Sequence, residues 1–247
     1  MKQAQKKPLK GVIWRAITSY RRTLRPMMVA TFPLIFIIGL LRWLTDDYTG
    51  DQYATLIILV AAFSTFVATR IAVVGWDWRK VRLIAFYNGL MGRYLSVLGL
   101  LAVSVVIAIP LIGGLFLAGL SLVAGGTRWW ALPALALMAG GFVLFARCSL
   151  ALYALADDME ISVLQAFQIS NRLVKRFFWP YALRLLAIGF AVMLVAVVFG
   201  VLGSLVAIWL QDASTQLAID LLGSWLITPF LLFIMARQYE ALVENYE

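Results

Sequence analysis

Four arginines lie within or near long apolar stretches of this chain, and a guanidinium in hydrocarbon needs a partner or a route to water. Arg42 falls at the edge of its stretch, Arg184 falls just inside the start of another, and Arg70 precedes Trp76 by about 9 Å at helical rise. All three are within snorkelling reach of headgroups. Arg147 differs: the helical count back from Asp157 puts it about 15 Å from the nearest edge, near the midplane of a core about 30 Å thick. No Asp or Glu is expected at that depth. Its partner is therefore expected to be a backbone carbonyl, a hydroxyl such as Ser149 or Thr228, a water-filled cavity, or a lipid phosphate drawn inward. A structural anchor and a ligand or lipid site both fit it.

Other chemistry is thinly represented. The chain has no His and one Cys, Cys148, within an apolar run, which removes the commonest general base, most zinc sites and any disulfide framework. No Gly-rich loop ends in Lys and Ser or Thr, and no carboxylates pair inside an apolar stretch. The expectation is a protein that is not an enzyme, with no cofactor and no metal site.

The elements that position these arginines follow from composition. Of 247 residues, 63% are hydrophobic and only 13% charged, a mixture from which no soluble surface can be built. Six apolar stretches divide the chain, near 27–44, 53–74, 95–123, 130–156, 181–210 and 221–236, each long enough to approach or complete a crossing of a bilayer. The remainder is too short for an extramembrane domain, so residues 1–247 read as one integral membrane domain, all-α and polytopic. The first stretch follows a long basic arm with no small-residue cleavage site, so it is expected to be retained as a span.

Short connectors at 45–52, 124–128 and 211–220 group the spans into three hairpins, while longer basic segments separate the hairpins. The arm over 1–25 carries Lys2, Lys6, Lys7, Lys10, Arg15, Arg21, Arg22 and Arg25. The next such segment carries Arg79, Lys80, Arg82 and Arg93, and the third carries Arg172, Lys175 and Arg176. Asp46, Asp47, Asp51, Asp212 and Asp220 fall on the hairpin tips. The positive-inside rule then puts both termini in the cytoplasm. Tryptophan supports the same edges, because its amphipathic ring prefers the headgroup level and none of the 9 indoles falls at mid-bilayer. The net charge of +9 is thus accounted for by membrane orientation and anionic lipid, and no nucleic-acid partner is expected.

Each hairpin is preceded by an apolar stripe at helical spacing: Ile13, Ile17, Tyr20 and Leu24; Leu83, Tyr87, Leu90 and Tyr94; Val163, Phe167, Ser170 and Val174. With Lys and Arg on the other faces, these read as interfacial amphipathic helices, apolar side in lipid and basic side toward headgroups. Ser170 interrupts the third stripe. Asp77, and Asp157 or Asp158, are placed to cap the second and third of these helices. Small-residue series at Ala196, Gly200 and Ser204, at Gly114 and Ala118, and at Ala136 and Gly140 are positions for close helix approach. The common plan of stripe plus hairpin is that of a threefold repeat, although generic amphipathic helices would give the same stripe.

The segment from Arg147 to Trp179 resembles the six-helix membrane domain family associated with bacterial glycerophosphoryl diester phosphodiesterases and related uncharacterised membrane proteins. The resemblance rests on an Arg followed by a small apolar run, the acidic turn at Asp157, Asp158 and Glu160, and then Ala166, Ser170, Arg172, Leu173, Lys175, Phe178 and Trp179. Pro229 and the run over 236–242 resemble the family's last span and polar end, while Asn171 stands where the family shows an aromatic. The resemblance implies six helices with both termini inside a bacterial cytoplasmic (inner) membrane. It implies no phosphodiesterase activity, which belongs to a separate soluble domain.

The expected function is that of a noncatalytic membrane scaffold or accessory protein that binds anionic lipid or a partner at the cytoplasmic face. The alternative is a transporter or channel-like protein for a lipid or small anionic solute. Candidate ligand or lipid residues are Arg147, Arg70, Arg184, Arg172, Lys175 and Arg176. Expected partners are membrane lipids, with a membrane protein or a second copy of the chain as further possibilities. In a Cys148→Ser background, Tyr48→Cys and Thr215→Cys are each expected to react with an impermeant maleimide from the side opposite the amino terminus. Labelling from the amino-terminal side at either position would refute the topology.

Overall fold

The computed structural model describes residues 26–41, 54–74, 82–123, 128–210 and 213–246. It is all-helical, with no strand among those residues. The helices are α1 (Pro26–Leu41), α2 (Ala54–Val73), α3 (Leu83–Met91), α4 (Tyr94–Val123), α5 (Ala131–Cys148), α6 (Ala151–Asp157), α7 (Val163–Arg176), α8 (Phe178–Leu210) and α9 (Ala213–Glu244). A single 3₁₀ turn, Arg128–Trp130, leads into α5. The arm over 1–25, Arg42 and Asp77 lie outside the described residues, as does the connector over 45–52.

Four segments among the described residues are long and apolar enough to cross a membrane: Thr55–Val73, Tyr94–Leu120, Ala131–Asp157 and Phe178–Val206. Helix α1 is apolar but shorter. The connector expected over 211–220 is mostly helical, because α9 starts at Ala213. Polar residues over that stretch gave it the look of a loop, but it contains no Gly or Pro to stop a helix that the apolar run beyond it sustains.

Burial divides the helices into two groups. Side chains of α1, α2, α6, α7 and α9 form the packed interior, around Met27, Phe66, Ile71, Leu155 and Phe233. By contrast, little of α4 and none of the apolar window of α8 is buried. An apolar surface of that extent is far larger than a soluble monomer exposes, and hydrocarbon is the solvent that leaves it at no cost. Inside the apolar helices, Thr31, Thr65, Thr69, Ser104 and Ser204 each donate their hydroxyl to a carbonyl one turn back in the same helix. That bond removes a donor that lipid could not satisfy.

Helix α3 turns Leu83, Tyr87 and Leu90 onto the protein, not into lipid, and Tyr94, the first residue of α4 beyond the turn at Gly92 and Arg93, packs on the same side. Tyr94 donates to the Leu59 carbonyl of α2 at 2.7 Å, and Tyr87 donates to the Ala30 carbonyl of α1. Both rings meet Phe63 edge-on, at 5.8 and 5.5 Å between centroids. Burial lifts the Tyr87 phenol above its usual range, which keeps it a donor. The second stripe is thus split between two helices at Gly92 and Arg93, though its residues share one covered side. What covers it is protein, since aromatic hydroxyls find carbonyl acceptors on a neighbouring helix and none in hydrocarbon.

Helices α4 and α5 pack backbone to backbone through two glycines. A Cβ on Gly141 would fall 2.5 Å from the Leu111 amide nitrogen, and one on Gly114 would fall 2.7 Å from that of Met138. Gly114 is therefore a close-approach residue as expected from its spacing, but Gly140 is not: a Cβ there meets nothing within 4 Å. The same is true of Gly200, and Ala196 and Ser204 are exposed, so that series faces outward in the monomer. Gly141→Ala is expected to destabilise the protein by roughly 1–3 kcal/mol through overpacking, whereas Gly140→Ala should be neutral or slightly stabilising. Thermal unfolding of both variants in detergent checks this, and equal melting temperatures would count against the α4–α5 contact.

Candidate functional site

The segment read as one span from 130 to 156 is divided at Ser149 and Leu150, where α5 gives way to α6. Such a break frees backbone groups that must find partners away from water. Ser170, fully buried on α7, supplies them. Its hydroxyl donates to the Arg147 carbonyl at 2.7 Å and accepts from the Leu150 amide at 3.2 Å. Ser149 donates to the Ala146 carbonyl at 2.8 Å, which commits its proton, so the Tyr181 hydroxyl 2.6 Å away is the donor in that pair. The hydroxyls of Ser170 and Ser149 thus answer backbone groups at the break, and Tyr181 of α8 holds Ser149 in place.

Helix α7 is held in place by this plug. Ser162 begins it with a reciprocal cap, its hydroxyl accepting from the Gln165 amide at 3.3 Å and its own amide donating to Gln165 Oε1 at 2.7 Å. The expected cap by Asp157 or Asp158 is therefore corrected: the turn over 158–161 separates both from the helix. Asp158 instead accepts from the Glu160 amide at 2.9 Å, ordering that turn. The buried stripe of α7 is Ala166, Ser170, Leu173 and Val174, with Val163 and Phe167 partly covered. It rests on the protein interior, so the expectation of an apolar side in lipid is corrected here too. Arg172, Lys175 and Arg176 are all exposed on the other faces, and the Arg176 guanidinium lies 5.5 Å from the Phe177 ring and 5.8 Å from that of Tyr246.

Arg70 has a structural partner, not a free route to headgroups. It donates to the carbonyls of Ala156 and, at 2.8 Å, Asp157, which are orphan acceptors at the end of α6. A cation there also meets the negative end of the helix dipole. Tyr239 of α9 donates to Asp157 Oδ2 at 3.1 Å. Burial, reinforced by the Asp157 carboxylate, raises the Tyr239 phenol well above its usual range and keeps it protonated. Nearby on α9, Arg237 pairs with Glu240 and lies 4.9 Å from the Phe233 ring. Burial raises the Glu240 carboxyl, an effect that Arg237 partly offsets.

Among the described residues of the candidate spans, Arg147 and Arg184 are the cations without such partners. Neither takes part in an ion pair or side-chain hydrogen bond among the described residues, and the Nε of each is buried without a partner. The Arg147 guanidinium lies 6.0 Å from the Phe178 ring at the start of α8, beside Trp179. The expected midplane depth is therefore corrected: its charge sits at the level of the α7–α8 corner, where the long side chain carries it. Ser149 is engaged with Tyr181, and Thr228 is exposed, so neither hydroxyl expected for Arg147 is its partner.

Beside the break lies an open cavity of about 700 Å³, walled by α4, α5, α6, α8 and α9. Its lining is apolar except for Ser104, Cys148, Ser149 and Tyr153. Ser170, Tyr181 and the cavity were not identified from the sequence; the one signal for Ser170 was its interruption of an otherwise apolar stripe. No grouping of three or more His, Cys, Asp or Glu able to hold a metal occurs among the described residues.

Ser170→Ala leaves a buried carbonyl and a buried amide unpaired, each costing roughly 1–3 kcal/mol. It is expected to lower the melting temperature clearly in detergent. Ser204→Ala, which removes an exposed hydroxyl bonded within its own helix, should change stability by less than about 0.5 kcal/mol. Comparison with family models, with curated proteins and with solved structures finds no match to this chain.

Proposed function

We propose that this chain is a noncatalytic, six-span protein of a bacterial cytoplasmic membrane, with three hairpins and both termini inside, that gathers anionic lipid at its cytoplasmic face. The observation that carries the reading is the docking of α7. Its apolar stripe is buried on the protein and Ser170 pins it to the α5–α6 break, so Arg172, Lys175 and Arg176 are presented outward from a rigid base. A fixed basic face beside a membrane edge attracts phosphate headgroups by about 1 kcal/mol per cation. The exposed indole of Trp179, at the α7–α8 corner, marks that edge. At helical rise, Trp179 and Trp209, which is also exposed, are about 45 Å apart, the thickness of a bilayer with its headgroups.

The distribution of basic residues along the chain supports the orientation, and the likeness of residues 147–179 to the phosphodiesterase-associated membrane domain supports the six-helix plan and the bacterial membrane. The basic platform formed by Arg172, Lys175 and Arg176 supports the reading as a scaffold or accessory protein. The second reading, a transporter or channel-like protein for a lipid or small anionic solute, draws on the interrupted α5–α6 span and the cavity beside it, features that line substrate paths in transporters.

Extraction of the full chain with its surrounding lipids into polymer-bounded discs tests the first reading. Wild type is expected to be enriched in anionic lipid over the bulk membrane, and the triple variant Arg172→Gln, Lys175→Gln, Arg176→Gln to lose most of that enrichment. Equal lipid profiles would remove the reading.

A further inference from the structure

The cavity, the two leftover cations and the shape of α8 belong together. Along α8 the cavity wall runs from Leu185 to Met193, about 12 Å at helical rise, close to the hydrocarbon depth of a single leaflet. The wall is open sideways: Leu186, Phe190 and Met193 all line it and are all exposed. A space of this kind in a bilayer is entered from the side by hydrocarbon, since its lining offers water few partners.

Two cations lie just beyond its lining, placed at one end of it by helix register. Arg184 lies one turn before Ile188 on the same stripe of α8, and Ile188 lines the cavity. Phe178 lies two turns before Leu185, again on one stripe, and the Arg147 guanidinium rests against Phe178. Both charges therefore flank the end nearest α7, which is the end nearest the membrane edge marked by Trp179. A cation with no carboxylate partner in low dielectric is stabilised by an anion that arrives with the ligand. The arrangement, an apolar slot one leaflet deep with two uncompensated positive charges at its outer end, is complementary to a lipid whose phosphate and chain are joined.

We propose that the cavity receives one acyl chain of an anionic phospholipid from the leaflet on the α7 side, with its phosphate held by Arg184 and Arg147. This rests on the reading of the chain as a membrane-spanning binder of anionic lipid, and it adds a discrete site distinct from the surface formed by Arg172, Lys175 and Arg176. Gly189 provides the means to test it. It lines the cavity, and a Cβ there meets nothing within 4 Å, so a large side chain can enter the space without displacing backbone.

The experiment titrates the purified full chain in mild detergent with three probes: dioctanoyl phosphatidylglycerol, dioctanoyl phosphatidylcholine, and glycerol 3-phosphate. Wild type is expected to bind the phosphatidylglycerol saturably, the phosphatidylcholine about tenfold more weakly, and the glycerol phosphate not at all. Gly189→Trp should weaken both lipids about tenfold or more at unchanged melting temperature. Arg147→Gln with Arg184→Gln should bring phosphatidylglycerol down to the level of phosphatidylcholine and leave the latter unchanged. Saturable binding of glycerol phosphate as tight as that of the lipid, or a folded Gly189→Trp protein that binds as wild type does, would overturn the proposal. Loss of binding in the Arg172, Lys175, Arg176 variant but not in Gly189→Trp would overturn the cavity site while sparing the surface reading. Cys148, the only cysteine in the chain, lines the same space and gives a readout that does not depend on any variant folding. Dioctanoyl phosphatidylglycerol should slow its reaction with N-ethylmaleimide several-fold, and unchanged labelling at saturating lipid would also overturn the proposal.

Discussion

A backbone carbonyl and a backbone amide released inside a medium without water must be given partners by the protein, and the junction of α5 with α6 is built around that requirement. The hydroxyl of Ser170 accepts from Leu150 and donates to Arg147, so one side chain satisfies both ends of an interrupted ladder. The bond is local in chemistry and global in effect. It ties an amphipathic helix to a membrane-length segment and thereby decides which way the remaining faces of that helix point.

From this tie the position of the basic surface is derived. With Ala166, Ser170, Leu173 and Val174 facing the interior, helical periodicity leaves Arg172, Lys175 and Arg176 outside. An unanchored amphipathic helix could roll or lift off a membrane. One whose stripe is buried against its own protein holds its charges at a fixed height and angle. The same end of the molecule is closed by Arg70 on the last carbonyls of α6 and by Tyr239 on Asp157, which join α2, α6 and α9 at one level.

The cations then separate by what answers them. Arg70 is answered by carbonyls, Arg237 by Glu240, and Arg176 in part by two aromatic faces. Arg147 has only the edge of an aromatic interaction at 6.0 Å, and Arg184 has no side-chain or backbone acceptor among the described residues. These unanswered charges lie where the packed interior gives way to the exposed α8 and to the cavity beside it, which is where a ligand can supply what the chain does not.

Much of this was legible in the residues. Apolar runs of spanning length appear as helices, Leu83, Tyr87 and Leu90 share one side of α3, and Gly114 is a point of close approach, because periodicity and side-chain size are properties of a single segment. What covers a face is not such a property. That α3 and α7 turn their stripes onto protein, that Gly141 and not Gly140 meets α4, and that Ser162 and not Asp157 caps α7 depend on which helix lies opposite. So does the fate of each polar side chain: Ser170 looked like a flaw in an apolar stripe, and Arg70 looked free to snorkel. The order of residues alone settled the helices and their affinity for hydrocarbon, since transfer free energy sums over a segment's own side chains. The pairing of donors with acceptors was left to the packed fold, since a hydrogen bond needs both partners within about 3 Å and they come from distant parts of the chain.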